Sequence, residues 1–334
     1  MEWRRKRIGL WVVVVGWLSI GIMIRADIAN SATAKELRQI PSAGFAEIDP
    51  QKNSFVLVGD TQSTSHWEFW RERNDRERKS IIDEISRHEP AFVIHLGDLT
   101  TRGSSEKHWQ QFDDYHRELR KKGIPIFPVL GNHEFYGNNR KALEHCFERV
   151  PYLAQKRWYC FTWKKVGLIM IDSNLSTLTE RQVEQQSQWY LSELQRLEED
   201  GGIDAIIVCC HESPFTNSRV IRPSKEVEIH FVDPFLRFQK SRLFFSGHSH
   251  SYERFQIKNK FFIVSGGGGG PRHKVYIDPI TRPYPDLFQG PELRFFHFGE
   301  IERQDEGLVF RVLRLEPDGT FTIAETLDIP KIER

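Results

Sequence analysis

The sequence predicts an α/β domain in which buried, largely parallel strands alternate with helices. Two observations lead to this fold class. Short, continuous apolar runs recur from residue 54 onward with amphipathic helical stretches between them, as in sheets that helices cover on both faces. Nearly every run also ends in a polar residue that can bind a metal ion. A chain of 334 residues is long enough to bury the core that such a domain needs.

The elements follow one another in a regular order. Six apolar runs are predicted as strands, at 55–58, 91–96, 126–130, 168–171, 205–209 and 243–245. Residues 76–88 and 180–199 have apolar side chains at helical spacing and are predicted as helices. In the last third, turns at 258–260 and 317–319 predict two β-hairpins, over 252–265 and 307–326. Residues 267–292 are interpreted as a long surface loop, and the charged stretch 71–79 as a solvated helix face.

Composition and charge narrow the class of protein. With 39% hydrophobic, 28% charged and 12% aromatic residues, the chain is neither disordered, nor collagen-like, nor a simple coiled coil. Its 47 Lys and Arg balance 46 Asp and Glu, which gives a formal net charge of +1. A protein that mainly grips nucleic-acid phosphates needs a basic excess, so no nucleic-acid groove is expected.

The N-terminal segment has the pattern of a secretory signal or a membrane anchor. Four basic residues at 4–7 precede an uncharged, apolar run over 8–24. This run is long for the core of a signal peptide and short for a spanning helix, so both interpretations of residues 1–25 stay open. Residues 26–52 are interpreted as a linker and 53–330 as one domain. We expect this domain outside the cytoplasm (periplasmic, secreted or membrane-anchored), with the N-terminal segment as its membrane contact.

The four cysteines allow two interpretations. Cys146 and Cys160 are close enough in sequence to close a short disulfide loop in an oxidising compartment. Cys209 and Cys210 are adjacent on an apolar strand, where side chains alternate between faces, so they should not pair with each other. Four buried thiols are an equally good expectation. No C-x-x-C spacing exists, which argues against a structural zinc site.

The polar residues that end the strands are the candidate functional residues. In chain order they are Asp60 and Gln62, Asp98, Asn132 with His133 and Glu134, His211, and His248 with His250. Ligands of open α/β sheets bind beyond the carboxyl ends of the strands, so these five loops should converge on one place. One such loop alone would be weak evidence, since Gly-Asp after a strand is usually a turn. Five such loops in succession predict a metal site.

The order of these motifs resembles the calcineurin-like metallophosphoesterase superfamily, in particular its purple-acid-phosphatase-like branch. The family pattern is D-x-H, G-D, G-N-H-D/E, H and G-H-x-H, and the resemblance covers about residues 54–265. The stretches 168–174 and 188–191 and the hairpin with Asp318-Gly319 are also similar to the family. The resemblance implies a sandwich of two mixed β-sheets flanked by helices, with C-terminal β-hairpins and a two-metal site at one edge.

The resemblance also implies a role for each motif residue. Asp98 would bridge two divalent metal ions, with Asp60, Gln62 and His250 completing the first site. The other ligands of the second site would be Asn132, His211 and His248. His133 would act on the substrate as transition-state stabiliser or general acid, and Glu134 would orient a ligand or the backbone. Oxygen and imidazole donors without thiolate suit Mn, Fe or Zn better than Ca.

Two departures from the family pattern affect the expected chemistry. Gln62 stands where the family usually has His, and an amide oxygen is a weaker donor than imidazole, which favours Mn, Mg or Fe over Zn at the first site. Thr101 stands where purple acid phosphatases carry a metal-binding Tyr. Without that phenolate, no charge-transfer colour is expected.

Some tempting features have simpler interpretations. The glycine run 266–270 looks like a phosphate cradle, but Pro271 follows it instead of a helix, so it should pack near the metal site. His95 lies inside a strand and is expected to be packed. The side chains of His273, His297, Arg102 and Tyr136 could reach a substrate phosphate, although nothing in the sequence positions them.

The functional expectation is a phosphoesterase. The resemblance implies that a hydroxide activated by two metal ions hydrolyses phosphomonoesters or phosphodiesters, with a small phosphorylated substrate as partner. Two alternatives stay open. One is a lipid-linked or small-molecule pyrophosphatase, which an N-terminal anchor would suit. The other is a non-catalytic binder of a phosphate ligand, which Gln62 alone favours.

Overall fold

The computed structural model describes residues 47–65, 68–288, 290 and 294–332. The predicted signal or anchor at 1–25 and most of the predicted linker lie outside these residues. Within the described ranges, no helix is both long and apolar enough to cross a membrane.

Two mixed sheets form the framework of the domain. Across the described residues, each sheet has six strands, in the orders β12-β11-β10-β1-β2-β3 and β4-β5-β6-β7-β9-β8. The strands are β1 Ser54–Val58, β2 Val93–His95, β3 Ile126–Pro128, β4 Tyr159–Trp163, β5 Val166–Met170, β6 Ala205–Cys209, β7 Ser241–Ser246, β8 Tyr252–Ile257, β9 Lys260–Ser265, β10 His297–Gln304, β11 Gly307–Leu315 and β12 Phe321–Pro330. The predicted sandwich of two mixed sheets with C-terminal hairpins is therefore confirmed.

Parallel pairing brings the functional strand ends to the same edge. In the first sheet β1 pairs in parallel with β2, and β2 with β3. In the second sheet β5, β6, β7 and β9 pair in parallel in that order. The hairpins β8–β9 and β11–β12 are antiparallel, as their turns predict. Two strands, β4 and β10, have no counterpart among the predicted runs. In β10 the apolar pattern is interrupted by charged residues on a partly exposed face.

The long helices begin and end where the sequence indicates. The helix Asp75–His88 buries Ile81, Ile82 and Ile85 against the first sheet. The helix Glu180–Glu199 starts at a capping box, in which Thr179 Oγ1 accepts from the Gln182 backbone N–H and Gln182 Oε1 accepts from the Thr179 backbone N–H. Further helices are Glu106–Tyr115, Arg117–Lys121 and Asn139–Arg149, with shorter helical turns at Lys225–Val227, Glu228–Val232 and Asp233–Phe235.

The core is divided by the second sheet. Along β5, Leu168 and Met170 belong to a cluster that also holds side chains of the first sheet, whereas Ile169 belongs to a cluster with Leu194 of the helix Glu180–Glu199. This alternation follows from the period of two along a strand. Cys209 and Cys210 fall into different clusters for the same reason.

The structure decides the state of the cysteines and corrects the prediction that 267–292 is a surface loop. All four cysteines are free and buried, so the structure contains four thiols and no Cys146–Cys160 disulfide. Residues 267–271, His273 and Val275 are buried, so the first part of the predicted surface loop is interior. Its glycines pack against the loops of the candidate site, residues 276–285 are exposed or partly exposed, and Asp286 and Phe288 are buried again.

Glu253 provides a prediction about stability. Its carboxyl is fully buried and accepts hydrogen bonds from Thr216 Oγ1 (2.7 Å), the Asn217 backbone N–H (2.6 Å) and Ser251 Oγ (2.9 Å). Burial raises the pKa of Glu253 from 4.5 to about 7. Between these values the unfolded chain releases a proton that the folded chain keeps, so the free energy of unfolding falls as pH rises, by up to about 3 kcal/mol.

Replacing Glu253 by Gln is expected to remove this fall in the free energy of unfolding with rising pH. Urea unfolding at pH 5 and at pH 7.5 should show that Glu253→Gln gains stability relative to the native chain as pH rises. The exposed Glu226→Gln is the control and should follow the native pH profile. A Glu253→Gln variant with the native pH profile would contradict the prediction.

Candidate metal centre

The predicted site residues lie together at the carboxyl ends of the parallel strands. Asp60 and Gln62 follow β1, Asp98 follows β2, Asn132 follows β3, His211 follows β6, and His248 and His250 follow β7. Their ligand atoms form two groups, each within 4.8 Å: one of Asp60, Asp98 and His250, the other of Asp98, His211 and His248. Asp98 belongs to both groups, which is the arrangement expected of a carboxylate between two cations.

The first group includes the amide of Gln62. Its Nε2 donates to Asp98 Oδ2 at 2.9 Å and lies 3.1 Å from His250 Nε2. His250 Nε2 lies 3.3 Å from Asp60 Oδ1. Gln62 is 2% exposed, and its Oε1 is buried without a hydrogen-bond partner. Rotation of the amide by half a turn would exchange the two ends and place the oxygen beside Asp98 and His250.

The second group includes the amide of Asn132. His211 Nε2 lies 3.1 Å from Asn132 Oδ1 and 3.4 Å from Asp98 Oδ1. The rings of His211 and His248 are 4.8 Å apart, and His248 Nδ1 is buried without a hydrogen-bond partner. Asn132 Nδ2 donates to Tyr136 Oη at 2.8 Å, which turns the amide oxygen toward His211.

In each group, one histidine turns its second ring nitrogen toward a carboxylate oxygen. His211 Nδ1 donates to the Leu96 carbonyl (2.8 Å), and His250 Nδ1 donates to the Pro271 carbonyl (2.7 Å). In a neutral ring the Nε2 atom is then a lone-pair donor, as in metal-binding histidines. Both Nε2 atoms face a carboxylate oxygen, an arrangement that either a proton on the ring or a metal ion between the two atoms can satisfy. The residues present therefore fit two divalent cations.

Without a cation, protons supply part of the positive charge. Burial lowers the pKa of His211, but the carboxylates of Asp98 and Asp60 outweigh it and raise the pKa above its ordinary value. Burial likewise opposes ionisation of Asp98, yet His211, His133 and His248 lower its pKa to about 2. Burial lowers the pKa of His248 to about 3, so this ring is neutral and its nitrogen is available to a metal.

Four of the candidate ligands have an unusual backbone. Asp60 (φ 59°), Asp98 (φ 55°), His248 (φ 68°) and His250 (φ 47°) are all in the left-handed region. This conformation is uncommon for residues other than glycine, although Asp and His adopt it more readily than most, and such backbone outliers concentrate at functional sites. Hydrogen bonds between loops hold it, since the Asp60 backbone N–H donates to the Gly97 carbonyl and the Thr61 backbone N–H to the Asp98 carbonyl.

Two glycines allow the loops to approach closely. A Cβ on Gly131 would lie 2.3 Å from Asp98 Oδ1, and one on Gly97 would lie 2.5 Å from His211 Nδ1. Any side chain at either position would displace a candidate ligand. The glycines that precede the motif residues are therefore part of the site's construction, as the sequence predicts.

The Glu134 side chain links the loop after β2 to the loop after β3. Its carboxylate accepts from the backbone N–H groups of Gly131 (2.7 Å), Asp98 (2.9 Å) and Thr100 (3.2 Å). Burial and the nearby charge of Asp98 raise its pKa to about 8. The side chain contacts backbone and none of the ligand atoms, which supports the predicted orienting role.

His133 lies at the mouth of the cluster. Its backbone N–H donates to Asp98 Oδ1 (2.9 Å), its Nδ1 donates to the Thr101 carbonyl (2.9 Å), and its Nε2 lies 3.8 Å from Asp98 Oδ2. The side chain is 21% exposed, and its ring lies 4.4 Å from that of Tyr136. The Thr101 hydroxyl instead donates to the Ser63 carbonyl, so it does not replace the missing Tyr as a ligand.

Arg78 is a supporting residue that the sequence interpretation missed. The stretch 71–79 is not simply a solvated helix face, since the Arg78 side chain is 1% exposed. It donates to the carbonyls of Gln62 (2.9 Å) and Gly269 (3.1 Å), and so ties the first group to the glycine run. The sequence contained one indication, because Arg78 shares the helical spacing of Ile81, Ile82 and Ile85.

His273 and the loop after β5 also support the cluster. The His273 ring stacks on that of His250, with centroids 4.1 Å apart and planes at 9°, and Arg71 Nη2 lies 2.8 Å from its Nε2. Ser173 Oγ accepts from the His211 backbone N–H, and Asn174 Nδ2 donates to the Leu130 carbonyl. His95 is packed in the core as predicted, with its Nε2 2.9 Å from Thr61 Oγ1. His297 is also buried, and its two ring nitrogens contact Ser265 Oγ (3.1 Å) and the Phe295 carbonyl (3.0 Å).

This fold and site define a class of α/β proteins that place divalent metals at the edge of a two-sheet sandwich. A family model described as calcineurin-like phosphoesterase matches residues 54–252. The chain therefore belongs to the calcineurin-like phosphoesterase family. A comparison with curated proteins gives no significant sequence match.

Solved structures with the same fold have low sequence identity. GAP50, described as the anchor in the inner membrane complex of Plasmodium, superposes with a TM-score of 0.63 at 17% identity, over 85% of this chain and 90% of that one. A purple acid phosphatase from yellow lupin (Lupinus luteus) seeds gives 0.59 at 17% identity, over 85% of this chain and 54% of that one. A dimetal phosphatase from Danio rerio gives 0.56 at 16% identity, over 80% and 96%.

The position of Gln62 leads to a prediction about metal preference. Replacing Gln62 by His is expected to raise zinc affinity about ten-fold or more, since an imidazole nitrogen is a stronger zinc donor than an amide oxygen. Competition against a fluorescent zinc chelator measures the change. The control is Gln188→His, which adds an imidazole on the exposed face of the helix Glu180–Glu199. Equal zinc affinity in the native chain and Gln62→His would show that residue 62 does not contact the metal.

Proposed function

We propose that the protein is a metal-dependent phosphoesterase that hydrolyses phosphomonoesters or phosphodiesters at this cluster. The observation that carries the proposal is the pair of histidine nitrogens that face carboxylate oxygens, at 3.3 Å in the first group and 3.4 Å in the second. A metal ion between each pair would satisfy both contacts, and Asp98 belongs to both groups. Family membership supports hydrolysis of phosphoric esters as the reaction.

Each cation has a proposed set of ligands. The first would be held by Asp60, Gln62, Asp98 and His250, and the second by Asp98, Asn132, His211 and His248. Carboxylate, amide and imidazole donors without a thiolate suit Mn, Fe or Zn. When bound, two such cations withdraw charge from the phosphoryl oxygens and lower the pKa of a water molecule to make a nucleophile.

The protein's own groups complete the reaction site. His133 Nδ1–H is fixed on the Thr101 carbonyl, so Nε2 is the atom presented at the mouth of the cluster. From there, when protonated, it can donate to the oxygen of the leaving group. Tyr136 packs on the His133 ring and holds the Asn132 amide, which keeps both side chains oriented. Arg78 and Glu134 hold the loops that carry the ligands.

Metal-dependent turnover tests the proposal. The full chain, stripped with a chelator and reloaded with Mn²⁺, Fe²⁺ or Zn²⁺, is assayed on p-nitrophenyl phosphate and bis(p-nitrophenyl) phosphate. We expect turnover only after reloading, and the ratio of the two rates distinguishes a monoesterase from a diesterase. Metal-independent turnover, or none with any metal, would contradict the proposal.

A non-catalytic role is the second candidate. Gln62 in place of the family's usual His favours it, and the shared fold with GAP50, described as an anchor, is compatible with it. A binder would bind Mn²⁺ and inorganic phosphate without turning over either ester. For both candidates we place the domain of residues 53–330 outside the cytoplasm, on the basis of the N-terminal segment.

A further inference from the structure

Most of the exposed apolar side chains lie on segments that are linked to the metal centre. Of the described residues, ten large hydrophobic ones are exposed. Tyr136 packs on His133, and six more lie on three segments that are joined to one another at His273 and Lys274: Phe69, Trp70, Val220, Tyr276, Ile277 and Ile280. Single exposed hydrophobics are ordinary, but a group of them marks an interaction surface.

Three segments meet at one contact beside the centre. Arg71 Nη2 lies 2.8 Å from His273 Nε2, and the His273 ring covers His250. Trp70 immediately precedes Arg71, and Lys274 immediately follows His273. The Arg219 backbone N–H donates to the Lys274 carbonyl at 2.7 Å, which brings the third segment alongside. We name the apolar residues of these segments the apolar rim: Phe69, Trp70, Val220, Tyr276, Ile277 and Ile280.

Four side chains of the apolar rim are too exposed to stabilise the fold by burial. Ile280 is 91% exposed, Phe69 79%, Ile277 74% and Trp70 70%. Burial of one such side chain is worth about 1.5–3 kcal/mol, and none of these four obtains it within the domain. Phe69 and Trp70 contact each other edge to face at 5.1 Å, which leaves their outer surfaces to solvent.

The charge around the rim is positive. Segments 219–222 and 274–282 contain four basic residues, Arg219, Arg222, Lys274 and Arg282, and one acidic residue, Asp278, a net charge of +3. The third segment, 68–73, has two acidic and two basic residues and leaves this balance unchanged. The Asp278 carboxylate accepts from the Ile280 backbone N–H, within its own turn. Trp and Tyr among aliphatic side chains with a basic fringe are the composition that anionic lipid surfaces attract.

We propose that the apolar rim lies on the surface of an anionic lipid bilayer, and that the metal centre acts on a phosphate ester carried by a lipid. The second half rests on the proposed function. A bilayer surface is broad enough to contact loops from three separate segments at once, whereas a bound peptide is not. The rim is a membrane contact in addition to the predicted N-terminal one. The rim and the centre are connected through one segment, because Lys274 follows His273, whose ring covers His250.

A fluorescent probe tests the membrane contact without needing activity. Ile280→Cys in the full chain is labelled with an environment-sensitive dye, since the four native cysteines are buried. The matched control is Ile323→Cys, at an isoleucine 59% exposed on β12. On vesicles of phosphatidylglycerol and phosphatidylcholine, we expect a blue shift and quenching by spin-labelled lipid at position 280 and neither at position 323. A dye at 280 that stays in water, or equal quenching at both positions, overturns the contact.

The substrate half needs a separate measurement. The double variant Ile277→Ser with Ile280→Ser removes apolar surface only, so folding should be unaffected. Relative to the native chain, we expect at least a ten-fold loss of turnover on phosphatidic acid in vesicles with no change on p-nitrophenyl phosphate. Equal effects on both substrates overturn a lipid substrate. If the native chain hydrolyses neither, the proposed function fails, while the probe result still decides the membrane contact.

Discussion

Replacing Asp98 by Asn is expected to lower kcat/KM on p-nitrophenyl phosphate by about 10³-fold or more. The carboxylate is the one side chain shared by both groups, and it accepts from Gln62 Nε2 and from the His133 backbone N–H. Asn keeps the shape but removes the negative charge between the two proposed cations. Steady-state kinetics with added Mn²⁺, together with metal analysis of the purified variant, measures the effect.

The control for this variant is Asp114→Asn. Asp114 is 67% exposed on the helix Glu106–Tyr115 and pairs with Arg117, so its replacement tests the same chemical change away from the cluster. Native turnover and native metal content in Asp98→Asn would refute the placement of the metals. A thermal melt shows that any loss is not due to unfolding.

Replacing His133 by Ala is expected to lower kcat by about 10²–10⁴-fold, the usual contribution of a positioned acid or base. The loss should depend on the leaving group. p-Nitrophenolate leaves with little help from a proton, whereas an alkoxide needs one. Turnover of an alkyl phosphate should therefore fall further than turnover of p-nitrophenyl phosphate, while metal content stays native, since His133 is not among the proposed ligands.

His145→Ala is the matched control. His145 is also a partly buried histidine, 20% exposed, whose Nδ1 contacts a backbone carbonyl, that of Gly103, at 3.2 Å. Removal of the His145 imidazole should leave the turnover of both substrates at the native rate. Equal losses on the two substrates in His133→Ala would favour a purely electrostatic role for His133, and no loss on either would exclude it from the reaction.

The candidate ligands could be predicted from sequence because each is fixed by local structure. A polar residue that ends a buried strand keeps its position whatever the rest of the chain does, and parallel pairing then brings the strand ends together. Asp60 and His211 are examples from different sheets. The start of the helix Glu180–Glu199 was equally predictable, since its capping box lies within four residues.

The supporting residues could not be predicted because their partners are distant in sequence. Arg78 reaches a carbonyl 191 residues away, and Arg71 meets His273 across 202 residues. Charge content indicated solvent for both arginines. The helical spacing of Arg78 was one indication of burial, but only the tertiary structure shows which groups the two side chains contact. The buried part of 267–275 is a similar case, since its glycines are covered by residues distant in sequence: His297 at Gly267, Thr61 at Gly268, Arg78 at Gly269, and His250 with Asp60 at Gly270.

The left-handed backbone at Asp60, Asp98, His248 and His250 has a consequence for how such a site is lost over evolutionary time. Glycine adopts this backbone without a steric cost, so a change to glycine at any of the four positions would relieve the backbone and remove a candidate ligand at the same time. Loss of metal binding and relaxation of the loops would therefore go together, one position at a time.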